Sequence, residues 1–86
     1  MPNILSKLTG TEAMGYEKNI PLIIINGGNF LSVDNYRSVM EFTREKIRLN
    51  TAIGVLCIMG TGLCMDVMAH DRLTVSGEIL QIFYVK

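Results

Sequence analysis

Gly54-Val55-Leu56-Cys57-Ile58-Met59-Gly60-Thr61-Gly62-Leu63-Cys64-Met65-Asp66-Val67-Met68 is the stretch whose reading decides the fold. It is almost wholly apolar, and Gly60-Thr61-Gly62 interrupts it in the middle. The pattern predicts two short strands joined by a two-residue loop at Thr61-Gly62. With that loop, Gly60 faces Leu63, Ile58 faces Met65 and Leu56 faces Val67. Cross-strand partners share a face, so Leu56, Ile58, Leu63, Met65 and Val67 form one apolar face. The opposite face carries Val55, Cys57, Met59, Cys64 and Met68, with Asp66 as its single charge. A sheet wetted on one side has no need of a second apolar face. Either the hairpin is sandwiched within the domain or this face is a contact surface, and on the second reading these five residues are the candidate interaction face.

Working outward, the same style repeats. Downstream, His70-Asp71 reads as a turn, Arg72–Ser76 alternates as a strand, Gly77 is a bulge or bend, and Glu78–Val85 closes the chain as a last strand. Upstream, Lys46-Ile47-Arg48-Leu49-Asn50-Thr51 alternates polar against apolar, as a half-buried strand does. Thr43-Arg44-Glu45 is a turn, and Tyr36–Phe42 is a strand, with helix the competing reading for Tyr36–Arg48. Leu22-Ile23-Ile24-Ile25 is β-branched and ends at Asn26-Gly27-Gly28-Asn29, a turn signal leading to Phe30-Leu31-Ser32-Val33. In residues 1–19, Ile4, Leu5 and Leu8 suit one helical turn, but Gly10 and Gly15 rule out a long helix.

The expectation is an all-β fold. About eight short, mainly antiparallel strands form a meander rolled into a small sandwich or barrel-like sheet over residues 20–86. A flexible or briefly helical N-terminal arm precedes it over residues 1–19. With 86 residues the chain is one domain, small enough that self-association or a partner is a plausible source of extra stability.

Eight basic and eight acidic residues cancel, which removes any global electrostatic case for nucleic acid or anionic membrane. No stretch reads as a secretory signal or a membrane helix, so the expected compartment is the cytosol, with both thiols reduced. In the hairpin register Cys57 and Cys64 lie diagonally, with Cβ atoms roughly 7 Å apart, too far for an unstrained disulfide. His70 is the single histidine, and the carboxylates lie in separate turns and strands. No catalytic constellation, metal site or cofactor site is expected. A weaker reading would build an enzyme or metal site on His70 and the thiols.

The run from Pro21 to Tyr84 resembles the YabP/YqfC family of sporulation proteins. The likeness is carried by Asp34-Asn35, Met40-Glu41-Phe42-Thr43, Ile47-Arg48-Leu49-Asn50-Thr51-Ala52-Ile53-Gly54, Leu56-Cys57-Ile58-Met59-Gly60 and Leu73-Thr74-Val75-Ser76-Gly77-Glu78-Ile79. Ile47–Thr51 is closest to the YqfC branch, whereas Tyr36-Arg37-Ser38 stands where the family often has His-Lys-Gly. The resemblance implies a small non-enzymatic protein made in the mother cell, without catalytic residues, associated with a YqfD-like membrane protein at the membrane around the forespore. Self-association through sheet faces, or through edges such as Leu22–Ile25 or Ile79–Val85, is the expected mode of assembly. The alternative is a small nucleic-acid-binding barrel using Arg37, Arg44, Lys46 and Arg48 with Tyr36 and Phe42.

Overall fold

In the computed structural model, residues 19–86 are described, and the arm expected over residues 1–19 lies, but for Asn19, outside them. Among the described residues six strands make one antiparallel sheet: β1 (Leu22–Asn26), β2 (Phe30–Asp34), β3 (Ser38–Phe42), β4 (Lys46–Thr51), β5 (Gly54–Ala69) and β6 (Arg72–Val85). Their spatial order is β1-β2-β6-β5-β4-β3. The class is all-β, as expected. The strands number six rather than eight because two pairs of expected strands are each one long strand.

The structure departs from expectation within residues 54–68. Thr61-Gly62 is not a reverse turn, and β5 runs through it for sixteen residues, paired with β6 along its length. Between Thr61 and Cys64 the register shifts, so β5 takes three steps while β6 takes two, from Glu78 to Ser76. One extra residue in a strand inverts the alternation of side chains beyond it. A two-residue hairpin inverts it too, which is why Leu56, Ile58 and Leu63 still share the buried face. Gly62 lies at φ 61° and Gly77, on β6, at φ 121°, backbone conformations that glycine adopts without penalty.

The bulges bend the long hairpin into a corner. Three residues connect its far ends: Asn35 N–H donates to the Asp71 carbonyl beyond the end of β5, and Arg37 N–H donates to that of Asn50, opposite Val55 at its start, each at 2.7 Å. A straight sixteen-residue strand would hold those ends roughly 50 Å apart, and residues 35 to 37 span about 7 Å at most. The sheet is thus folded onto itself as two layers. In the first lie β1, β2, the start of β6 and the end of β5; in the second lie β3, β4, the start of β5 and the end of β6.

Each layer contributes two inward rows. Ile23-Val33-Leu73-Val67 and Ile25-Leu31-Val75-Met65 come from the first, and Val39-Leu49-Leu56-Tyr84 and Phe42-Ile47-Ile58-Ile82 from the second. In every row the two central side chains are fully buried, and together with Leu63 at the corner and Tyr36 at the open end they make a single core. The hairpin turns dock on the corner: Gly60 and Leu63 N–H donate to Glu45 and Arg44 carbonyls, and Gly77 and Ile79 N–H to Asn29 and Gly28 carbonyls. Amides that leave the ladder where the strands bend thereby keep acceptors. A Cβ at Gly60 would collide with the Glu78 carbonyl oxygen.

Candidate functional site

The five residues of the expected interaction face are split by the bend. Val55, Cys57 and Met59 occupy successive outward positions on the first half of β5. Cys64 and Met68 lie beyond the corner, on the first layer, Cys64 in the outward row of Asn26, Phe30 and Ser76, and Met68 at the bulge between Val67 and Ala69. Cys57 is only 5% exposed, Val55 and Met59 are half-buried, and Cys64 and Met68 are exposed. Both thiols are free, and they lie on different layers instead of diagonally across a hairpin.

Phe83 and Val85, absent from the expected set, stand beside Cys57 and Val55 on β6 and are exposed. The outward strip of the second layer is therefore Val55, Cys57, Met59, Phe83 and Val85, bordered by Asn50, Arg48 and Lys46 on one side, with Gln81 beside Met59. Pairing with the last strand is non-local, so no spacing within residues 54–68 could have shown it.

Among the described residues each layer carries one cross-strand ion pair on its outer face. Arg72 Nε and Nη2 donate to both carboxylate oxygens of Asp34, at 2.8 and 3.1 Å. Arg48 Nε lies 3.2 Å from Glu41 Oε1, close enough to pair the charges although their alignment is not that of a hydrogen bond. Of the residues a nucleic-acid reading would use, Arg37 and Arg44 are exposed, Arg48 is engaged by Glu41, and Tyr36 is buried in the core. His70 sits in the β5–β6 turn next to Asp71. Among the described residues no three His, Cys, Asp or Glu side chains gather as a metal site, and no helix is long and apolar enough to cross a membrane.

A shallow cavity of about 190 Å³ lies at the open end, lined by Asn19, Asn35, Tyr36, Arg37 and Asp71. Asn35 is at φ 67°, a left-handed conformation asparagine tolerates, and its Nδ2 donates to the Ile20 carbonyl at 3.0 Å. Its role is visible in that geometry: it turns the chain from one layer to the other. Asn35 is thus a residue of the crossover, and Asp34 ends β2 in its ion pair with Arg72.

No curated protein matches the chain. A family model does, over residues 17–86, a span that takes in both layers, the corner and the crossover. The chain belongs to the YabP family.

Proposed function

We propose that this chain is a non-enzymatic assembly module of sporulation, acting in the mother cell and meeting a membrane protein through the faces and edges of its folded sheet. Membership of the YabP family suggests a sporulation-related protein. The observation that supports the assembly reading is where the apolar side chains lie. Among the described residues thirteen large ones are exposed, against ten buried in the core. Exposed apolar residues scattered singly need no explanation, but contiguous ones point to contact with another molecule. Here Phe83 and Val85 adjoin Val55, Cys57 and Met59 on one face, and Leu22, Ile24 and Ile25 crowd one edge strand.

The test is capture of the tagged full chain from sporulating cells after the membranes are solubilised, with loss of the chain scored for spore formation in parallel. The expected result is a membrane protein retained by the wild type and released by Phe83→Glu, together with a fall in spore yield when the chain is absent. Normal spore formation without the chain would overturn the reading.

A further inference from the structure

Four segments of the sheet have a neighbour on one side only among the described residues: β1, β3, the end of β5 and the end of β6. Three of them are interrupted. β3 shifts register between Val39 and Glu41 and carries a carboxylate there. The end of β5 shifts between Val67 and Ala69 and carries Asp66, and the end of β6 leaves Leu80 unpaired. Bulges and charges are the devices by which an edge avoids pairing with another chain. β1 has neither. Leu22-Ile23-Ile24-Ile25-Asn26 pairs with β2 in five unbroken steps, bears no charge, and leaves Ile24 55% and Ile25 54% exposed.

We propose that β1 is the docking edge for a second copy of this chain, the two β1 strands pairing antiparallel about a two-fold axis at Ile24. The inference deepens the assembly reading and rests on it for its setting, while its geometry stands alone. An edge offers unpaired N–H and C=O groups, and an extended strand is the partner that satisfies them in a row. A two-fold axis normal to the sheet keeps each face on its own side, so only residues of one face can oppose each other. Centring on Ile24 aligns the whole strand: Ile24 meets Ile24 of the second copy, Ile23 meets Ile25, and Leu22 meets Asn26. No like charges are brought together, and aliphatic side chains face aliphatic ones.

The inward rows are also incomplete at this edge. Ile25 stands in line with fully buried Leu31 and Val75, yet is half exposed because its row ends there. Ile23 of a second copy would continue that row and cover it. The first layers of the two copies then form one eight-stranded sheet. Five paired residues make less than a standard interface of roughly 1,600 Å², so exchange between one and two copies is expected in the micromolar range.

Sedimentation of the full chain from about 1 to 300 µM tests this. The expected result is a mass that doubles with concentration, a dissociation constant at least ~100-fold weaker in Ile24→Lys, where like charges would meet on the axis, and no change in Val67→Lys, at the other edge of the same layer. In a Cys57→Ser, Cys64→Ser background, Ile24→Cys should oxidise to a linked pair and Ile25→Cys should not. A single-chain mass throughout, or a doubled mass that survives Ile24→Lys, overturns the pairing. A single-chain mass in a protein that still captures its membrane partner overturns the pairing and leaves the assembly reading standing.

Discussion

The two halves of β5 are one continuous, largely apolar strand, and they live in different surroundings. From Gly54 to Met59 the strand lies between β4 and β6, and Leu56 and Ile58 are fully buried. From Leu63 to Ala69 it has β6 alone among the described residues; Met65 is half-buried and Val67 is 53% exposed. All four side chains point inward. What separates them is the number of neighbouring strands, since a side chain at the end of a row is covered on one side only. An apolar alternation thus states which face a residue takes, and says nothing of how much that face is covered.

The largest expected effect lies at the joint between the halves. Gly60→Ala forces a methyl into the Glu78 carbonyl, backbone against backbone, and is expected to cost more than about 4 kcal/mol, much of the stability of a domain this size. Gly62→Ala meets nothing within 4 Å and bears only the left-handed strain at φ 61°, about 1 kcal/mol. Urea denaturation of the two variants checks both figures. Equal losses would mean that the bend does not depend on the close approach at Gly60.

Next in size is the contrast between the halves themselves. Leu56→Ala should cost about 3 kcal/mol by removing buried methyl groups and leaving a cavity. Val67→Ala should cost less than about 1 kcal/mol. Hydrogen exchange reads the same contrast in the backbone: outward amides of residues 64–69 should exchange faster than those of residues 55–59, which β4 and β6 hold from both sides. Comparable costs, or uniform protection, would show that the second half is covered in solution.

The smallest effect concerns Tyr84, beside Leu56 in its inward row. Burial pushes its hydroxyl above the ordinary 10.0 by disfavouring the phenolate. Because the folded value is the higher one, the associated stability is fully present below pH 10 and is lost as pH rises through the folded value. Tyr84→Phe should abolish that part of the alkaline loss, seen as a smaller drop in urea midpoint between pH 9 and 11. An unchanged drop would place the hydroxyl in water.

Much of this fold was legible from residue order. Lys46–Thr51 is the observed β4 to the residue, because a strand with one face inward writes its burial as strict alternation. Asn26-Gly27-Gly28-Asn29, Thr43-Arg44-Glu45 and His70-Asp71 all turn the chain where their residues favour it. The failure at Thr61-Gly62 is instructive. A hairpin and a one-residue bulge both invert side-chain parity, so the apolar pattern is identical for the two. Only the partner strand separates them, and that partner lies fifteen or more residues away. For the same reason Val55, Cys57 and Met59 were readable as outward residues, while their grouping with Cys64 and Met68 was not, nor their adjacency to Phe83 and Val85.

The crossing of β5 and β6 from one layer into the other has a consequence for how the chain comes apart. Neither layer can dissolve alone, because each owns half of both long strands, and melting one would tear the rows of the other. The domain should therefore behave as a single cooperative unit. Its formation must await the meeting of segments distant in sequence, since β2 pairs with residues some forty positions further on. Such a chain trades speed of folding for the absence of a partly folded form.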